Sequence, residues 1–266
     1  MPFEQWDPAV YIRRRPERAR PFAELVARIG AVPDEVRSVV DAGCGPGYLT
    51  ATLAERYPRA HVTGLDSSAA MITEAQPLAR AGLRFAVADV REWTPPPDVD
   101  VLVSNAVLHW IDGHPELLRR WAGALRPGAW LAVQVPGNQQ APSHVAVRDL
   151  IESPEWSERL AGTSESGPVL EPVGYATQLT EAGCRVDVWE TTYLHDLREE
   201  TGGHPVLGWL EGTTLRPVIA ALGREEYGRF AAALTDRLAA AYPVADGRVW
   251  YPFRRIFVVA QKAPVR

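Results

Sequence analysis

Residues 39-VVDAGCGPGYLT-50 carry an apolar run into an aspartate, Asp41, and then glycines at alternate positions, Gly43, Gly45 and Gly47. A short apolar run of this kind reads as a strand buried on both faces of a parallel sheet. The glycines allow positive φ and let the backbone pass close to a ligand. Helical spacing resumes over 48–56, so the turn joins a strand to a helix. In an open α/β sheet that turn lies outside the carboxyl end of the first strand, where ligands sit. A dinucleotide-binding turn carries G-x-G-x-x-G, whereas the spacing here is G-x-G-x-G, which argues for a different ligand.

Outward from this turn the periodicity alternates. Residues 17–30 are helical, 36–42 a strand, 48–56 a helix, 61–65 a strand, 68–80 a helix, and 84–88 and 99–104 the third and fourth strands. A helix over 115–125 and a strand over 129–135 follow, then helical pieces near 143–151 and 172–182 and a strand over 185–193. Helical spacing runs through 205–241 with interruptions near Pro217 and Gly223, and the last strand covers 255–261. This βαβ repetition predicts an open sheet with right-handed crossovers. About sixty residues separate the last two strands, too many for a hairpin, so a helical cap is expected between them.

The chain has 266 residues, 46% of them hydrophobic and 23% charged, which fits a globular fold with a sizeable core. Its net charge of −5 supplies no footprint for a nucleic-acid backbone or an anionic membrane. The two cysteines, Cys44 and Cys184, form no CxxC pair, so neither a disulfide framework nor a zinc site is expected. No His or Cys constellation suggests a metal at all. The first residues lack a basic start and apolar core, and no window is apolar enough to span a membrane, so a cytoplasmic protein is expected. The oligomeric state stays open.

The D-x-G-x-G-x-G turn, with Asp66 in 62-VTGLDSS-68 nineteen residues after Gly47, resembles class I S-adenosylmethionine-dependent methyltransferases. That resemblance implies a Rossmann-like, doubly wound, seven-stranded, mostly parallel sheet with an antiparallel last strand, plus the helical cap. It implies that Asp66 accepts hydrogen bonds from the ribose hydroxyls of the methyl donor, with Ser67 and Met71 beside it. Asp89 and Val90, in 86-AVADV-90, would meet adenine, and Asn105 and Ala106, in 101-VLVSNAVLHW-110, the methionine part. Asp41, Gly43, Cys44, Gly45 and Gly47 would form the donor turn. Cys44 fits there by its size; nothing nearby would make it a nucleophile.

The resemblance extends through WDPAVY, RARPFAELV, PSHVAVRDL, LEGTTLRP and YPVADGRVWYPFRRIFVVA, which are similar to bacterial trans-aconitate 2-methyltransferases. It implies S-adenosyl-L-methionine as donor and a small tricarboxylate as acceptor. It also implies a division into an N-terminal lid (1–34), a donor-binding core (35–138), connecting helices with the sixth strand (139–200), a cap (201–250) and the closing strand (251–266). A carboxylate ionised at neutral pH needs no general base, so no catalytic residue is assigned; His109 and Trp110 are positioning candidates. The unmethylated carboxylates call for cations, with Arg20, Arg216, Arg254 and Arg255 as candidates and Tyr11, His144, Thr213 and Tyr251 as neutral partners or walls. Strand alternation sends Arg254 and Arg255 to opposite faces. Other readings stay open: methylation of a phenol or amine with His109 as base, a non-catalytic donor-binding module, or a nicotinamide-linked dehydrogenase, which the glycine spacing disfavours.

Overall fold

The computed structural model describes residues 15–163, 169–198 and 203–264. Seven strands form one sheet in the order β3-β2-β1-β4-β5-β7-β6. They are β1 (Ser38–Ala42), β2 (His61–Asp66), β3 (Leu83–Val87), β4 (Val101–Asn105), β5 (Trp130–Pro136), β6 (Cys184–Arg198) and β7 (Arg248–Lys262). β1 pairs in parallel with β2 and β4, β2 with β3, and β4 with β5. β7 runs antiparallel to β5, with Gln134 opposite Phe257 and Pro136 opposite Arg255. The order reverses between β1 and β4, which places the glycine turn at the switch point expected of a doubly wound sheet.

Burial follows position in the sheet. Every residue of β4 is buried, as an inner parallel strand covered on both faces requires, whereas edge strand β3 alternates in its first residues. The helices are α1 (Arg15–Ala27), α2 (Tyr48–Arg56), α3 (Ala69–Ala75), α4 (His114–Ala124), α5 (Pro142–Ile151), α6 (Pro172–Glu181), α7 (Pro205–Glu211), α8 (Arg216–Ala221) and α9 (Arg224–Ala241). The helix expected to reach Arg80 ends at Ala75 and tightens into a 3₁₀ turn over Gln76–Leu78. Pro77 lacks the N–H that a further α-helical turn needs. β6 and β7 are longer than their apolar runs suggested, at 15 residues each. Their extensions alternate, with Val249, Tyr251 and Phe253 buried and Trp250 exposed, so each reads as mixed polarity in the sequence.

The chain divides into two compact units. The first comprises Met1–Pro136, Val169–Thr191 and Arg255–Arg266; the second comprises Gly137–Pro168 and Thr192–Arg254. The first unit's core joins β1, β4, β5 and β7 to α4 and α6 through Leu102, Val133, Ile256, Leu118, Trp121 and Leu179. The second has its own core, in which Phe230, Leu234 and Leu238 of α9 pack with Val147, Trp209 and Tyr251. Spacings of four put these α9 residues on one stripe, so the helix buries that face and exposes the rest.

Candidate active site

The three turn glycines adopt positive φ, 87° at Gly43, 55° at Gly45 and 79° at Gly47. At Gly43 a Cβ would overlap the Val107 side chain, and at Gly47 it would lie 2.7 Å from Phe85 and 2.8 Å from Ala75. These two glycines therefore answer to packing as well as to backbone angle. The turn is anchored from behind, because the N–H groups of Gly43 and Cys44 both donate to the Leu65 carbonyl at 2.7 and 2.9 Å.

Asp66 closes the front of the turn. Its Oδ2 accepts the Gly45 N–H and its Oδ1 the Ser68 N–H, each at 2.9 Å. Burial raises its pKa, and the two backbone donors oppose that shift. Each oxygen keeps acceptor capacity for a hydroxyl. Asp41 is arranged differently: it is buried, its Oδ2 accepts the Thr50 hydroxyl at 2.6 Å, and desolvation pushes its pKa up to about 7. It ties β1 to α2. Burial, with Asp41 and Asp66 nearby, pushes the Cys44 thiol far up, so it is not a nucleophile.

A cleft opens beside this turn in the first unit. Gly43, Gly45, Asp66, Ser67, Met71, Asp89, Val90, Asn105 and Ala106 line it, together with Trp110. Asp41, Cys44 and Gly47 are not among its lining residues. Arg91, Val107 and Ile111 line it too and were missed by sequence reasoning. Arg91 follows Asp89 by two positions, and its guanidinium and N–H both engage that carboxylate, at 2.9 Å from Nε to Oδ2 and 2.9 Å from the backbone. The Arg91 fork holds the Asp89 carboxyl below the usual range. Val107 and Ile111 enter the wall because Ala106, at φ 57°, turns the chain sharply after β4. A non-glycine residue in that region costs about 1–2 kcal/mol, a strain typical of ligand sites. The signal available beforehand, for Val107 alone, was its position just after the end of β4.

Asn105 gives the cleft an unused group. It is 8% exposed, and its Oδ1 has no hydrogen-bond partner. A buried acceptor left so costs about 1–3 kcal/mol, which a ligand donor would recover. His109 is buried with its ring 4.7 Å from that of Trp110 and does not line the cleft. Among the described residues no cluster of metal-ligating side chains occurs, and no helix is long and apolar enough to cross a membrane.

The acceptor candidates fall in both units. Arg20 lies exposed on α1 of the first unit, and Tyr11 lies outside the described residues. Arg255, also in the first unit, is 5% exposed, and its Nη1 donates to Gln134 Oε1 at 3.2 Å. In the second unit the Arg254 N–H donates to Asn138 Oδ1 at 2.8 Å, and Arg216 begins α8. Thr213 donates to the Trp209 carbonyl at 3.1 Å. His144 and Tyr251 meet through Ser143, whose Oγ lies 3.1 Å from His144 Nδ1 and 2.9 Å from the Tyr251 hydroxyl. Burial, aided by Arg148, pushes the His144 pKa down to about 4, so the ring is neutral.

A family profile described as "Methyltransferase domain" matches residues 39–128. Over nearly its whole length the chain is similar to curated proteins named trans-aconitate 2-methyltransferase. It is 53% identical to that of Mycolicibacterium gilvum, covering 96% of this chain and 98% of the relative. It is 51% identical to that of Rhodococcus jostii, covering 96% and 99%. Among solved structures, phosphoethanolamine N-methyltransferase 2 of Haemonchus contortus, in complex with S-adenosyl-L-methionine, superposes with a TM-score of 0.53 at 17% identity. The match covers 92% of this chain and 53% of that one, and it establishes the shared fold.

Proposed function

We propose that this chain, which belongs to the trans-aconitate 2-methyltransferase family, transfers a methyl group from S-adenosyl-L-methionine to a carboxylate of trans-aconitate. Similarity to a relative of that name over 96% of this chain, at 53% identity, carries the reading. The first unit's cleft suits the donor. Asp66 has acceptor capacity for two ribose hydroxyls, Asp89 and Val90 suit adenine, and the orphaned Asn105 Oδ1 suits the donor's ammonium group. Gly43 and Gly45 line the cleft without side chains, so their backbone can approach the donor closely. Met71, Ile111 and Trp110 supply apolar wall that excludes water.

The donor supplies an electrophilic methyl group on a sulfonium. The protein's part is alignment. An acceptor carboxylate, with a pKa near 4, is already ionised at neutral pH, so no side chain has to remove a proton. Holding the remaining carboxylates calls for fixed cations, for which Arg20 and Arg255 in the first unit and Arg216 and Arg254 in the second are the candidates. Tyr11 and Thr213 supply neutral partners, and His144 and Tyr251, whose polar groups meet at Ser143, supply wall. Residues 35–138 are assigned to the donor and 1–34 and 201–250 to acceptor choice, in a cytoplasmic protein. The test is methyl transfer from labelled S-adenosyl-L-methionine to trans-aconitate, with citrate and a phenol as controls and mass analysis of the product. A monomethyl ester is the expected product; no transfer to any tricarboxylate overturns the reading.

A further inference from the structure

Gln134, at the carboxyl end of β5, is fully buried, yet its Nε2 has no hydrogen-bond partner. An amide in a sheet interior is not kept for packing, because a leucine or methionine of similar volume would avoid the cost of a stranded donor. Its orientation is set by Arg255, whose Nη1 donates to Gln134 Oε1 at 3.2 Å. The NH₂ group is thereby turned away from the guanidinium.

Register places this pair beside the cleft. Gln134 is the direct partner of Asn105 across the parallel β4–β5 ladder, so both side chains leave the same face of the sheet about 4.8 Å apart. In the antiparallel ladder Arg255 lies opposite Pro136, two residues from Gln134, and so emerges on that face as well. Asn105 lines the cleft; Gln134 and Arg255 do not. Asn105 Oδ1 is a stranded acceptor and Gln134 Nε2 a stranded donor on adjacent strands, yet they do not bond to each other. Two neighbouring groups that could satisfy one another and do not are each set for something else.

We infer that Gln134 Nε2 and the Arg255 guanidinium form a carboxylate-binding pair one strand beyond the donor cleft, and that its ligand is a carboxylate of the acceptor that is not methylated. This rests on the proposed carboxyl-methyl transfer. A neutral amide beside a buried guanidinium suits an anion: the arginine supplies charge and fork geometry, and the amide adds a directed donor without repulsion. The carboxylate of the donor's methionine part has the same chemistry. The register of the pair, one strand further along the sheet than Asn105, favours the acceptor.

Gln134→Met and Gln134→Glu in the full chain test this, with KM and kcat for trans-aconitate and the Kd of S-adenosyl-L-methionine measured on each. Gln134→Met should raise the acceptor KM roughly tenfold, and Gln134→Glu roughly a hundredfold, with the donor Kd unchanged within about twofold. An unchanged acceptor KM in folded variants overturns the inference. A donor Kd that rises while the acceptor KM holds assigns the pair to the donor and overturns it too. Should either variant fail to fold, Gln134→Asn withdraws the amide by one methylene and should give an intermediate rise in KM; no rise counts against the pair. If the wild-type protein neither binds nor methylates trans-aconitate, the functional reading has failed and this inference with it. If it does both and the variants match it, only the pair is lost.

Discussion

The cleft of the first unit and the polar cluster of the second both contain residues that a sequence reading marks as site candidates, but they spend their hydrogen bonds differently. In the second unit Ser143, His144, Tyr242, Tyr251 and Thr214 bond to one another, with Ser143 Oγ central to the set and Thr214 Oγ1 3.4 Å from His144 Nε2. Tyr251 is also enclosed by the rings of Trp209, Tyr242 and Phe253. In the first unit Asp66 has taken one backbone donor on each oxygen and retains acceptor capacity, Asn105 Oδ1 has taken none, and Ala106 sits at a strained φ of 57°. A ligand site is recognised by hydrogen-bonding capacity left over in the folded state, and polar residue type alone does not distinguish it from a satisfied core.

That comparison can be broken in several places, the strongest at Gly43. Gly43→Ala places a Cβ against Val107 at a φ of 87° and should destabilise the fold by about 3 kcal/mol in denaturant titration. Stability within about 0.5 kcal/mol of wild type would mean the turn has slack, and the cleft would lose its claim to be preorganised. Next comes Asp66→Ala, which should weaken S-adenosyl-L-methionine roughly 30-fold, or about 2 kcal/mol, by calorimetric titration. An unaltered Kd would show that the spare capacity of this carboxylate is not used.

Asp41 sharpens the contrast between two carboxylates of the same unit. Burial raises its folded pKa to about 7, above the unfolded value, so its contribution is complete below about pH 4 and is lost as pH rises through about 7. Asp41→Asn should remove up to about 1.4 kcal/mol of that loss per pH unit across the window, seen as a flatter plot of unfolding free energy against pH. An identical pH profile in the variant would place the proton elsewhere. The smallest effect is expected in the second unit. Tyr251→Phe removes a hydroxyl that Ser143 partners, which should cost about 1 kcal/mol of stability and leave the acceptor KM and donor Kd as they were. A raised KM at undiminished stability would show that this cluster serves a ligand after all.

Much of this was legible in advance, for reasons that differ by element. The inner strands are continuous apolar runs because parallel strands covered on both faces have no polar side, and β1, β2, β4 and β5 were read within a few residues. β6 and β7 alternate outside their apolar stretches, so the pattern hid about half of each. In the cleft, Asp66, Asp89 and Asn105 were found through their places at consecutive strand ends. Arg91 and Ile111 escaped because neither stands at a strand end: the first is there through its fork on Asp89, the second through the turn at Ala106. Gln134 escaped for another reason. A glutamine inside an apolar strand carries no motif, and its stranded Nε2 exists only once Arg255 has claimed the other end of the amide.

The sequence by itself determined the order of strands and helices, the place of the glycine turn and the chemical types around it, because periodicity and glycine spacing are local properties set by backbone geometry. Which of those polar groups are satisfied and which are left over was decided only by the tertiary structure. Hydrogen-bond partners such as Thr50 for Asp41, Leu65 for Gly43 and Arg255 for Gln134 come from segments 9 to 121 residues away, and pairings at that range exist only after the chain has folded.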